Sequence, residues 1–201
     1  LFVEHPHVVT LGRKSTESLL PGPETGVEIF EIERGGEATY HGPGQLVAYP
    51  IFKLESPTRD LHLYLRSLED VIIDSIADVQ LGGFRRSGAT GVWVDPKNPR
   101  KIASIGIAIR RWVTYHGLAL NVSTDLNYFN YISPCGFSPS VMTSIDQELQ
   151  TSIPMDSIKS IISSKFECRF GIRLKSLTRS GENSPRACKC VPSPNNWSDV
   201  V

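Results

Sequence analysis

Between residues 61 and 76, Leu61, Tyr64, Leu65, Leu68, Ile72 and Ile76 recur at three- and four-residue spacing, which lines one side of a helix with apolar side chains. Such a face has to be buried against another element. The flanking sequence supplies β-prone segments for this: residues 1–3, 7–11, 27–33 and 45–52 before the helix, and 91–94, 101–109 and 112–122 after it. Ser56 as cap, Pro57 in the first turn and Asp60 near the N-terminus mark the start of the helix. Helix on sheet points to one α/β (α+β) domain, and 201 residues suffice for a single core.

The rest of the chain fits this frame. Residues 12–26 read as loop, with Gly12 and Pro21-Gly22-Pro23 as breakers, and residues 34–44 as a glycine-rich connection between two strands. Residues 95–99 form a turn, and residues 130–142 are irregular around Pro134, Gly136 and Pro139. A second amphipathic helix is expected over residues 154–166, with Ile158, Ile161, Ile162 and Phe166 inward, followed by a short strand at 170–174. The expected division is a domain over residues 1–175 and a disordered tail over 176–201, where Ser, Pro, Asn and charge replace large apolar residues. Because the chain opens at Leu1 inside a strand-like segment, a missing N-terminal segment is also expected.

Charge and cysteine usage exclude several classes. Lys+Arg and Asp+Glu both number 21, and a dedicated nucleic-acid binder would carry a basic surplus. No run reaches the roughly 18 to 20 apolar residues that a membrane helix needs. Cys135, Cys168, Cys188 and Cys190 show no CxxC spacing, which argues against a zinc site, a disulfide scaffold or any bound metal. A reducing compartment follows, in which Cys135 stays a free thiol.

The densest chemical signal is the loop Arg34, Gly35, Gly36, Glu37, Ala38, Thr39, Tyr40, His41, continuing Gly-Pro-Gly-Gln to residue 45. Its glycines let backbone approach a ligand closely, and its arginine, tyrosine and histidine supply donors and a packing surface. It equally suits a tight β-connection, and it matches neither nucleotide motif built on glycine. His116, in Thr114-Tyr115-His116-Gly117, reads as mainly structural, and His5, His7 and His62 show nothing distinctive. Cys135 stands between Pro134 and Gly136, a setting that leaves its thiol on a turn. A thiol at its ordinary pKa is only a few per cent thiolate at neutral pH, so nucleophilic chemistry requires a nearby base or cation. Lys101, at the head of an apolar strand, is the leading partner, although on composition alone the favoured reading is that it ends a hairpin with its amine in water.

These segments, RGGEATYHGPGQLVAYPI (34–51), TGVWV (90–94), KIASIGI (101–107), WVTYHGLALNV (112–122) and SPCG (133–136) followed by MTSI (142–145), resemble the octanoyltransferase family, also called lipoate–protein ligase B. LFVEHPHVVTLGR (1–13) is similar to that family's early strand. The resemblance implies a mixed β-sheet flanked by helices, as in the catalytic domain of biotin and lipoate protein ligases. It implies transfer of an octanoyl group from octanoyl-acyl carrier protein to a lysine of a lipoyl domain, through a thioester, with no cofactor. The acceptors would be the lipoyl domains of 2-oxoacid dehydrogenase complexes and the glycine cleavage H protein, in the bacterial cytoplasm or, alternatively, a mitochondrial or plastid matrix. Carried over by motif, Cys135 is the nucleophile and Lys101 its partner, with residues 34–41, Ser104, Ile105, Gly106, Gly117, Leu118 and Ala119 around the acyl group. The competing expectations are an ATP-dependent lipoate or biotin ligase on the same fold, and a non-catalytic acyl-binding domain.

Overall fold

The computed structural model describes residues 1–15, 20–56, 59–133 and 137–175. Its frame is a six-stranded sheet in the order β1 (Phe2–Val3), β5 (Gln45–Ala48), β9 (Val113–Asn121), β8 (Arg100–Arg110), β7 (Ala89–Val94) and β6 (Gly83–Arg86). Every neighbouring pair in it is antiparallel. A smaller sheet has β2 (Val8–Leu11) at its centre, parallel to β3 (Glu28–Glu31) and antiparallel to β4 (Thr39–His41). The helices α1 (Leu61–Ala77) and α3 (Met155–Phe170) bury their apolar faces on one side of the large sheet, against Leu46, Ala103, Leu118 and Leu120. The expected α/β class with helices on a sheet is therefore what forms, with parallel strand pairing confined to β2 and β3.

Several boundaries depart from the sequence reading for identifiable reasons. Helix α1 is capped by Asp60, whose carboxylate accepts from the backbone N–H groups of His62 and Leu63, and not by Ser56. Pro57 lies outside the described residues. Leu61, expected on the inner face, is exposed because it opens the first turn. Within the glycine-rich connection, Thr39–His41 forms a strand, because β2 offers it an antiparallel partner. No strand follows at 170–174: α3 continues to Phe170, which extends the buried series Ile158, Ile162, Phe166, and stops at Gly171 with φ 65°. Strand β6 and the short helix α2 (Ile145–Leu149) were not anticipated. Cys168 is disulfide-bonded, which departs from the expectation drawn from the cysteines. The tail over 176–201 lies outside the described residues.

Two features of β8 position the site. Its turn into β9 has two residues, Arg111 and Trp112, both at positive φ (51° and 64°), the geometry that matches strand twist in a tight hairpin. Toward its other end the register slips: Val92 pairs with Ala103 but Trp93 pairs with Lys101, so Ile102 is one residue too many. In a regular strand, Lys101 and Ser104 are an odd number apart and face opposite ways. The bulge instead gives Ile102 and Ala103 together to the core under the helices. Lys101 is thereby left on the opposite face, the one that Ser104 shares.

Helix α2 is pinned beside this bulge. Arg100 Nε and Nη2 each donate to Glu148 at 2.7 Å, and the Thr143 hydroxyl donates to the same carboxylate at 2.5 Å. Arg100 first, with Thr143 adding to it, holds the Glu148 carboxyl below its ordinary range against the opposing effect of burial. A depressed carboxylate stabilises the fold above its unfolded-state pKa, and that contribution is lost as pH falls through the folded-state value. Glu148→Gln should therefore lower the urea-unfolding free energy at pH 7 by about 1–2 kcal/mol for this partly buried pair. The gap from wild type should close as the pH is taken below about 4; a gap that stays constant with pH would contradict the assignment.

Candidate functional site

Between the two sheets lies a cavity of about 420 Å³. One wall is the face of the large sheet turned away from the helices, where Val47 pairs with Ala119, Ser104 with Ala119, and Gly106 with Gly117. These side chains are small, so backbone and methyl groups form a smooth apolar surface. Ile105 and Leu118 border the cavity as well as the helical core. The opposite wall comes from the small sheet: Val8 and Thr10 of β2, Glu28, Phe30, Glu31 and Ile32 of β3 and its end, and Thr39 and His41 of β4.

The segment Arg34-Gly35-Gly36 closes one side of the cavity and is stitched to both sheets. Arg34 Nη2 donates to the Thr10 carbonyl at 2.7 Å and Nε to the Thr10 hydroxyl at 3.2 Å, while the Gly35 N–H donates to the Ile107 carbonyl at 3.0 Å. A Cβ at Gly106 would lie 2.9 Å from Arg34 Cδ and 3.1 Å from the Gly35 oxygen, so glycine is what permits this approach. On β4 the side chains alternate. Thr39 and His41 face the cavity, whereas Ala38 and Tyr40 pack with Val9, Val27 and Phe129 in a second core. Glu37 is not among the cavity residues.

Lys101 lies on the same face of the large sheet, beyond Ser104, with 2% of its surface exposed. Its Nζ is 5.8 Å from the ring centre of Trp93 and 6.0 Å from that of Phe137, and Arg86 lies over the same two rings. Gly91 makes room for the lysine stem: a Cβ there would stand 2.8 Å from Lys101 Cε. The backbone of Lys101 bridges to Met142, and its carbonyl accepts from the Thr143 N–H at 3.0 Å. Cys135 lies outside the described residues.

Three histidines surround the cavity. His41 Nδ1 is 2.7 Å from Gln45 Oε1, and burial, with the charge of Arg34 adding to it, pushes the imidazole down to about 4. His5 Nε2 is 2.6 Å from the Tyr49 hydroxyl. His116 has φ 60°, a conformation that a non-glycine residue rarely adopts in a strand, and its buried Nε2 has no partner among the described residues. Sequence reasoning treated His5 and His116 as ordinary. His116 stands opposite Ile107 of β8, a neighbour that no local pattern reveals. Phe30 and Ile32 were legible only as strand residues. Among the described residues, no group of three or more His, Cys, Asp or Glu side chains could hold a metal, and no helix is long and apolar enough to cross a membrane.

The geometry can be set beside known proteins. Residues 1–167 match the model of the lipoyl protein ligase A/B catalytic domain. An octanoyltransferase of Cytophaga hutchinsonii is 43% identical over 188 residues, which cover 90% of this chain and 77% of that one. One of Solibacter usitatus is 52% identical over 146 residues, 70% of this chain and 65% of that one. In fold, the chain is similar to the bi-partite lipoate protein ligase of Thermoplasma acidophilum, with TM-score 0.73 and 18% identity over 89% of this chain and 73% of that one. It is also similar to a lipoate-protein ligase A solved with ATP, with TM-score 0.71 and 17% identity over 89% and 75% of the two chains. With a family model spanning most of its length and relatives above 40% identity, the chain belongs to the lipoyl protein ligase A/B catalytic domain family.

Proposed function

We propose that this chain is an octanoyltransferase: it takes an octanoyl group from octanoyl-acyl carrier protein onto Cys135 and passes it to a lysine of a lipoyl domain. The observation that carries this reading is a smooth apolar cavity on the same sheet face as a buried lysine, in a chain whose relatives at 43–52% identity are octanoyltransferases. The acceptors are lipoyl domains of 2-oxoacid dehydrogenase complexes and the glycine cleavage H protein. Site and place of action are proposals of the same kind, the place being the bacterial cytoplasm.

The chemistry closes without an added energy source. Lys101 takes the Cys135 proton, the thiolate attacks the donor carbonyl, and the donor thiol leaves with a proton. One thioester replaces another, so this step is nearly isoenergetic. The acceptor amine then forms a C–N bond as the C–S bond breaks, and the Cys135 sulfur recovers a proton. The amide is more stable than the thioester, which drives transfer forward. Phe137 supports the pairing: it is two residues from Cys135 in sequence and its ring is 6.0 Å from Lys101 Nζ.

A ligase reading is favoured by the fold neighbours, which are lipoate ligases. At 17–18% identity they speak for the fold alone, whereas the close relatives are transferases. Incorporation of free octanoate with ATP, unaffected by Cys135→Ser, would establish the ligase instead.

Two outcomes test the transferase reading. Incubation with octanoyl-acyl carrier protein should add the mass of one octanoyl group to the intact protein, and Cys135→Ser should abolish the adduct. Lys101→Met, which keeps the buried stem, should slow acylation by roughly 10²–10⁴-fold; an unchanged rate would remove Lys101 from the mechanism. Gly106→Val tests the acyl pocket, because side-chain volume there enters the space beside Arg34. It should lower kcat/KM for octanoyl relative to butanoyl donors by about tenfold or more, and an unchanged ratio would place the chain elsewhere.

A further inference from the structure

The large sheet carries a buried polar series at the end of its apolar wall. Gln45 on β5 and Asn121 on β9 are cross-strand partners, each 1% exposed, and they stand one pleat beyond the Val47–Ala119 pair. Gln45 Nε2 donates to Asn121 Oδ1 at 2.9 Å and to the Tyr40 carbonyl at 3.2 Å. Asn121 Nδ2 donates to the Thr143 carbonyl at 2.9 Å, and the N–H of that same Thr143 donates to the carbonyl of Lys101. His41 closes the series at Gln45 Oε1.

Two carbonyls fix the orientation of every group in this series. A carbonyl only accepts, so the Thr143 oxygen requires the amide nitrogen of Asn121 and leaves Asn121 Oδ1 toward Gln45. The Tyr40 oxygen and Asn121 Oδ1 then both require the nitrogen of Gln45. Gln45 Oε1 is left facing His41, so His41 Nδ1 must donate. A neutral imidazole has one N–H, and His41 Nε2 is accordingly a bare acceptor at the cavity wall, with no partner among the described residues. The low basicity of this ring keeps it neutral at physiological pH.

We propose that Gln45 and Asn121 are positioning residues that hold His41 as the hydrogen-bond acceptor for the lysine amine receiving the acyl group. This rests on the octanoyltransferase reading. The acceptor amine is a group in this reaction that brings N–H donors to the polar end of the cavity. Nε2 of His41 takes one N–H hydrogen bond and thereby turns the nitrogen lone pair toward the thioester carbonyl. As the C–N bond forms, the C–S electron pair leaves with Cys135, and the surplus amine proton passes by way of Lys101 to that sulfur. His41 ends as it began. The opposite tautomer would present an N–H to the amine and turn its lone pair toward His41. The Thr143 bridge keeps the Lys101 backbone in register with the same series, so one set of hydrogen bonds places both sides of the reaction.

The test uses the full chain, with Gln45→Leu and Asn121→Asp. An aspartate, protonated on the oxygen that faces the Thr143 carbonyl, still accepts from Gln45 and keeps its orientation, whereas Gln45→Leu removes the acceptor of the His41 Nδ1–H and releases the tautomer. Imidazole ¹⁵N shifts should report Nδ1–H for His41 in wild type and Asn121→Asp, and its loss in Gln45→Leu. In single turnovers, transfer from octanoylated Cys135 to a lipoyl domain should fall about 30-fold more than Cys135 acylation does in Gln45→Leu, the effect of one lost hydrogen bond in the transition state. In Asn121→Asp the two rates should stay within about threefold of their wild-type ratio. An Nε2–H tautomer in wild type, an equal fall of both steps in Gln45→Leu, or a selective loss of transfer in Asn121→Asp would each overturn the proposal. A wild-type chain that never acylates on Cys135 refutes the transferase reading instead, while the ¹⁵N shifts still decide the relay.

Discussion

One extra residue in β8 determines which face of the large sheet Lys101 occupies. The register slip at Ile102 sends Ile102 and Ala103 into the helical core and returns Lys101 to the face that carries Ser104, Gly106 and the cavity. Without it, a lysine three residues before Ser104 would point into the apolar core under the helices, where burying an ammonium group is costly. Beside it, Thr143 bridges the Lys101 carbonyl and Asn121. Bulges recur beside active sites because they re-aim a side chain; here the re-aimed group is the proposed proton acceptor.

The division of labour between the two sheet faces follows from side-chain size. The helical face is filled by Leu, Ile and Val, whose interdigitation with α1 and α3 holds the sheet rigid. The cavity face carries Gly106, Gly117, Ala119 and Ser104, residues too small to fill the gap to the second sheet. An apolar space remains, held open by Arg34 and Gly35 bonded to both sheets. It suits a flexible alkyl chain, because methylene groups leave water for apolar walls and need no directed partner.

Much of this was legible in the chain, and the limits are physical. The apolar spacing of Leu68, Ile72 and Ile76 marks α1 because a helical face is a local pattern, and the β8–β9 hairpin follows from two β-prone runs with a short connection. The glycine-rich loop announced itself, but the inward Thr39 and His41 could not be told from the outward Ala38 and Tyr40 until β2 supplied a partner and fixed the alternation. Gln45 and Asn121 carried no signal: they are single polar residues in β-prone runs, and their role exists only through the register that places them side by side. The bulge at Ile102 is invisible in sequence, because Lys-Ile-Ala-Ser reads as an ordinary strand.

The proposed mechanism has a direction: the thioester end of the acyl group would lie at the Lys101–Asn121–Gln45 end of the sheet face, and the alkyl tail would run over Ser104 toward the Gly106–Gly117 pair. A crystal structure of the protein with an octanoyl group trapped on Cys135 tests it most directly. The account predicts a carbonyl beside Lys101 and the polar series, with the terminal methyl near Gly106. A tail that runs toward α1 and α3, or a carbonyl placed at the Gly106 end, would contradict it.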